Sequence, residues 1–229
     1  YEYVWNEEQT DAELKVAGEM RKVSWTHHDG EKRTANYMVP NTNQCKGCHA
    51  NKGIVRPIGP KARNLNGDYP YQEGAMNQLA KWKQAGILTG APKPEAAPRL
   101  AVWDDPSSGS LDERARAWLE INCAHCHNPK GPAGTSGLDL MASQMDPSKW
   151  GICKAPVAAG RGSGGRSYDI VPGHAEASIL WYRIQSTDPG EMMPELARSV
   201  NHEEAVALIK QWIDEMKPRI CDKKKPMDA

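Results

Sequence analysis

The stretch Ile121-Asn122-Cys123-Ala124-His125-Cys126-His127-Asn128-Pro129 decides how this chain is read. It contains Cys-x-x-Cys-His, and the pentapeptide recurs once, at Cys45-Lys46-Gly47-Cys48-His49. Two thiols one helical turn apart can each form a thioether with a vinyl group of haem. The histidine that follows then lies beneath the iron and supplies the proximal ligand. The pattern predicts two covalently attached c-type haems, held by Cys45, Cys48, Cys123 and Cys126, with His49 and His127 on the irons. His125, inside the second motif, is expected to be a solvent-exposed spacer.

Zinc is the chief rival, since two Cys-x-x-Cys pairs can build a Cys₄ site. Here 74 residues separate Cys48 from Cys123, against about 15 to 20 in a compact zinc ribbon. Zinc also does not require a histidine after each pair. A redox dithiol of the thioredoxin kind needs a βαβ context, which the surrounding sequence lacks.

Working outward from the second motif, a helix is expected to lead into it. Ser110-x-x-Glu113 is a capping box, and Leu111, Ala115, Trp118 and Leu119 form an apolar face. Downstream, Gly160–Gly165 reads as a flexible turn and not a phosphate loop, because no Gly-Lys-Ser/Thr ending follows. A short helix is expected over 176–184, then a loop carrying Met192-Met193-Pro194. The last helix is expected to begin at Asn201, paired with Glu204 in a second capping-box-like pattern. Its buried stripe is Val206, Ile209, Trp212, Ile213 and Met216, and Pro218 ends it.

Upstream, the Pro- and Ser-rich segment 90–110 marks a boundary between an N-terminal haem domain (1–100) and a C-terminal one (101–229). The polar residues from Glu7 to Leu14 suggest one short helix. Val23, Trp25 and His27, then Asp29-Gly30, then Ala35, Tyr37 and Val39 predict a β-hairpin. Strand alternation puts His27 on one face and His28 on the other. A helix from about Glu73 to Ala85 would carry Met76, Leu79, Ala80 and Trp82, with Gly86 as its stop. The fold class expected is mainly α: a helical C-terminal haem domain plus an N-terminal haem domain with a short hairpin.

Lys plus Arg and Asp plus Glu both number 29, so charge makes no case for nucleic acid or an acidic membrane surface. No run of 18 or more apolar residues exists to span a bilayer. No signal peptide is visible at Tyr1. Haem attachment of this type takes place outside the cytoplasm, so an export signal is expected to precede Tyr1, with a periplasmic or extracellular location. The two cysteines outside the motifs, Cys153 and Cys221, are expected to form one disulfide in such an oxidising compartment. The Lys-rich tail after Cys221 is expected to be mobile.

Each iron needs a sixth ligand or an open face. Met193 is the candidate for the second haem, with Met192 in reserve. It lies in a loop between helices, and Pro194 stiffens the backbone beside it. For the first haem the candidates are His27, Met76, Met38 and His202, or an open site.

Residues 111–216 resemble a class I cytochrome c domain, through the helix into Cys-x-x-Cys-His, the late Met-Pro loop and the closing amphipathic helix. That resemblance implies crossed first and last helices and an axial pair of His127 and Met193. The whole chain also resembles a group of predicted secreted bacterial dihaem proteins, through Asn43-Gln44-Cys45, Pro57-Ile58-Gly59-Pro60 and Asn122–His127. The function expected is electron transfer between extracytoplasmic redox partners, a protein donor and a protein acceptor. The alternatives are a peroxidase-like enzyme with an open first haem, and a subunit of a larger multihaem assembly of cytochromes.

Overall fold

The computed structural model describes residues 1–51, 53–55 and 57–221. The Lys-rich tail expected to be mobile, 222–229, lies outside them. Helix accounts for 29% and strand for 17%, which overturns the mainly α expectation. The reason is local. Short turns fold neighbouring extended segments back on themselves, so the first half consists largely of separate antiparallel ribbons.

The first ribbon pairs β1 (Tyr3–Trp5) with β2 (Ala12–Leu14), where one helix was expected. The Asn6 side chain sets the turn by accepting the Thr10 N–H at 2.9 Å. The expected hairpin is present as β3 (Glu19–Thr26) and β4 (Lys32–Val39), with Val23 opposite Ala35 and Trp25 opposite Arg33. Gly30 takes the left-handed conformation this turn needs, φ +86°.

Helix α1 (Thr42–His49) carries the first motif. The Asn41 side chain caps it by accepting the Asn43 and Gln44 N–H groups, and the Gln44 side chain returns a bond to the Asn41 N–H. Two-residue strands β5 (Ala50–Asn51) and β6 (Ile54–Val55) follow, then the single turn α2 (Ala62–Leu65). Strands β7 (Asp68–Tyr71) and β8 (Gly74–Asn77) form the fourth ribbon. Glu73 therefore lies in a hairpin turn, and Met76 on a strand, where a helix was expected. The helix there is shorter, α3 (Gln78–Gln84), because the Asn77 side chain caps it by accepting the Leu79 and Ala80 N–H groups. Gly86 follows it at φ +75°.

Helix α4 (Leu111–Asn122) starts at the expected Ser110–Glu113 capping box. The segment expected to be a flexible turn forms a single 3₁₀ turn at Gly160–Ser163, with Gly162 buried. A further 3₁₀ turn at Ala175–Ala177 leads to α5 (Ile179–Gln185). Helix α6 (Glu203–Asp214) has His202 at its N-cap and no side-chain cap, so the Asn201–Glu204 capping box does not form. The Glu204 carboxylate turns to the N-terminal hairpin instead.

The core lies between α4, α5 and α6. Ala115, Leu119, Ile170, Ile209 and Ile213 are fully buried, with Trp150 and Trp212 among them. Trp212 Nε1 donates to Asp112 Oδ1 at 2.8 Å and ties α6 to α4. Cys153 and Cys221 are disulfide-bonded as expected, with Cα atoms 5.0 Å apart. Among the described residues, no helix is long and apolar enough to cross a membrane.

One charged residue sits inside α4. The Glu120 side chain has no exposed surface. Its Oε1 accepts from Lys61 Nζ at 2.6 Å and from the Arg63 guanidinium, and its Oε2 accepts the Ala142 N–H at 2.5 Å. Burial pushes this carboxyl up, but the bonds from Lys61, Arg63 and Ala142 outweigh it, and the net shift is below the ordinary 4.5. Its contribution to stability is therefore whole above pH 4.5 and is lost as pH falls through the depressed folded value. Glu120→Ala should lower the unfolding free energy by about 3 kcal/mol, since the two cations it leaves retain some solvent. Urea unfolding at neutral pH measures this. A loss under ~1 kcal/mol would mean the cluster behaves as a solvated surface group.

Candidate cofactor site

Cys123 is the C-cap of α4, its N–H bonded to the Leu119 carbonyl at 2.9 Å. The backbone then turns tightly. The Cys126 and His127 N–H groups both donate to the Cys123 carbonyl, at 3.1 and 2.9 Å. The following loop folds back onto this turn, and the Ala133 N–H donates to the Cys126 carbonyl at 3.1 Å. A side chain at Gly131 would collide with that same carbonyl oxygen, so only glycine fits there.

His127 is held by Ser136, whose Oγ lies 3.1 Å from its Nδ1. The single hydroxyl proton of Ser136 goes to the Ala133 carbonyl at 2.7 Å. Ser136 Oγ must then accept from His127 Nδ1–H, which leaves the lone pair on Nε2. Burial first, then Arg183, His125 and Lys154, lower the imidazole to about 4. His127 is thus neutral, in a single tautomer, with Nε2 ready to bind a metal. Sequence reasoning missed Ser136, because nothing in the spacing marks a serine nine residues on.

His127 and Cys123 line a cavity of about 300 Å³, within the usual size of small-molecule sites. Leu138, Leu140, Trp150, Ile179, Leu180 and Ile184 form its apolar walls, and two ion pairs, Lys154 with Asp169 at 3.0 Å and Arg183 with Glu195 at 3.7 Å, complete the lining. Met193 lines the same cavity, 66 residues after His127. Met192 points into the protein, 6% exposed, and does not line it.

The fold brings the first motif against the second. A further cavity of about 350 Å³ is lined by Gly47 and Cys48 from α1, by Cys123, Cys126 and His127, and by Met193, Pro194 and Leu196. Burial pushes the Cys126 thiol up to about 11, helped by its hydrogen bond with Cys48. Burial likewise pushes the Cys123 thiol up to about 12. His125 is no exposed spacer. It is half-buried, its Nδ1 has no hydrogen-bond partner, and burial and the neighbouring His49 lower its pKa. Cys45 lies apart, its thiol bonded to the Glu2 carboxylate.

None of the four candidates for a sixth ligand at the first motif lines the cavity that Cys48 shares. His27 Nε2 donates to Glu204 Oε1 at 3.1 Å. His202 sits 3.6 Å from the other oxygen of that carboxylate, edge-on to Trp103. Met38 lies on β4 and is 37% exposed, and Met76 lies on β8. His27, His202 and Met193 line another cavity, of about 720 Å³.

The residues around the second motif fit a c-type haem. They offer two thiols, a neutral imidazole nitrogen, a thioether and apolar walls for a macrocycle. Comparison of the chain with protein-family models, with curated proteins and with solved structures gives no match.

Proposed function

We propose that the chain is a dihaem c-type cytochrome that passes electrons between redox partners outside the cytoplasm. One observation carries this reading: Cys48, Cys123, Cys126, His127 and Met193, scattered across 146 positions of the sequence, line a single cavity. A haem bound there supplies a one-electron iron couple. The residues of the chain hold and tune it. Cys123 and Cys126 would hold it covalently, and Cys45 and Cys48 would do the same at the first motif. Ser136 orients His127 and keeps its Nε2 unprotonated. Leu138, Leu140 and Trp150 would exclude water from it, which favours a high potential, and Met193 would offer it a thioether, which does the same. The contact between Cys48 and Cys126 brings the two attachment sites within one short span, as relay between two centres requires.

Met193→Ala is expected to abolish the long-wavelength methionine–iron absorption band of the oxidised protein and to lower the potential of one haem, leaving covalent haem content unchanged. An optical spectrum and a redox titration read both effects. A band that survives assigns the ligand elsewhere.

The contact between Cys48 and Cys126 also favours a second reading, a shared Cys/His metal site, because the fold closes the 74-residue gap that argued against zinc. A pyridine haemochrome assay with metal analysis separates the two. Haem without stoichiometric zinc at the thiols supports the cytochrome.

A further inference from the structure

We propose that His27, His28 and Glu204 form a binding site for a first-row transition dication of the zinc class, outside the cysteine motifs, beside a cavity that His27 and Glu204 line together with Met193; the proposal does not rest on the haem reading. The ligand atoms of these three residues lie within 4.8 Å of one another. His27 Nε2 is 3.1 Å from Glu204 Oε1, and His28 Nε2 is 3.4 Å from the same oxygen. Ligands of a tetrahedral zinc ion, at bonds of about 2.0–2.1 Å, stand roughly 3.3–3.4 Å apart. The two imidazole–carboxylate separations thus already match edges of such a tetrahedron, and the two imidazoles stand within 4.8 Å of each other.

The hairpin turn produces this convergence. On a continuing strand two consecutive histidines would face opposite ways. Strand β3 ends at Thr26, and the turn closes through the His27 N–H to the Glu31 carbonyl and the Gly30 N–H to the His27 carbonyl. The two rings then lie 4.1 Å apart, tilted by 60°, and both reach α6. On α6, Arg33 takes up the neighbouring carboxylate, Glu203, at 3.4 Å, while Glu204 faces the histidines.

His202 acts as a positioning residue. Trp118 Nε1–H donates to its Nδ1 at 3.4 Å, so its own proton sits on Nε2. That N–H faces Glu204 Oε2 at 3.6 Å and leaves Oε1 to the ion. The donor set, two nitrogens and one oxygen, suits zinc, cobalt, nickel or copper dications. Calcium and magnesium, which take oxygen ligands, fit it poorly. His28 is 70% exposed, so an ion can enter from solvent and complete its shell with water. Bound there, it would clamp the hairpin to α6 across 177 residues of sequence.

Calorimetric titration of chelator-treated protein, carrying whatever covalent cofactor it is isolated with, with zinc sulfate tests the site. The expected result is one site of micromolar or tighter affinity. It should weaken at least ~30-fold in His28→Ala and in Glu204→Gln, and about 10-fold in His202→Ala. His28→Gln provides a second surface variant should the alanine variant fold poorly. Haem content per chain, read in parallel, should be the same in all variants, so loss of zinc binding and failure of the haem reading are scored separately. Absence of zinc binding in the wild type, or unchanged affinity in both His28→Ala and Glu204→Gln, overturns the proposal. The second result would place the ion elsewhere, at the cysteines for instance.

Discussion

On the dihaem reading, a chain in which Cys123 and Cys126 are both replaced by alanine is expected to carry one covalent haem, and the wild type two. Each thioether needs its own sulfur, and the two motifs lie on different elements. The first sits on α1, under its Asn41 cap, and the second on the turn that ends α4. Haem is counted by pyridine haemochrome against protein concentration. A wild-type count below two, or a variant count still at two, removes the dihaem reading. Denatured but unreduced wild type gives an independent check by thiol titration. With four sulfurs in thioethers and two in the Cys153–Cys221 disulfide, no free thiol should appear. Four free thiols would count against haem, and two would count against the disulfide.

Removing that disulfide should have the largest effect on stability. Its cysteines are 68 residues apart, and the chain-entropy account assigns a cross-link of that span about 4 kcal/mol. The bond also anchors the end of the described chain. Tyr168 donates its hydroxyl to the Cys221 carbonyl at 2.8 Å, and the Arg219 side chain donates to Cys153 Sγ. The paired variant Cys153→Ala, Cys221→Ala should therefore unfold at a clearly lower denaturant concentration, with haem content unchanged. A shift equivalent to less than ~1 kcal/mol would mean that the loop is already constrained in the unfolded chain.

The parts of this structure legible in the sequence are those specified by near neighbours. Ser110 and Glu113 announce α4 because a capping box needs only residues three apart. Asp29-Gly30 announces the main hairpin for the same reason. Local signals also misled. The stretch from Glu7 to Leu14 has a helical composition, yet the Asn6 side chain turns the chain and pairs Trp5 with Ala12. Asn77 was hidden inside an apparent helix, although its side chain is what starts α3. Asn201 and Glu204 have the capping-box spacing, but two histidines 177 and 176 positions upstream claim the carboxylate. Glu120 with Lys61 and Arg63, and Cys48 with Cys126, are likewise contacts between distant residues, and no short pattern encodes them. The residues with expected roles at the second motif do meet, since Cys123, His127 and Met193 share a cavity.

The distribution of apolar side chains has a consequence for the order in which the protein is made. Leu79 is the one large apolar side chain buried among the described residues of 1–100, whereas Trp5, Leu14, Val16, Val23 and Met38 remain substantially exposed. Ribbons of two strands are marginal on their own in water, and a segment of this size without an apolar interior needs some other scaffold to become ordered. On the haem reading, that scaffold is the macrocycle at Cys45, Cys48 and His49. Biogenesis would then run opposite to that of an ordinary binding protein: attachment comes first, on an open chain whose thiols are still reactive, and the N-terminal half condenses around the product. The C-terminal half, with its own interior between α4, α5 and α6, can take shape earlier and present the surface on which that condensation ends.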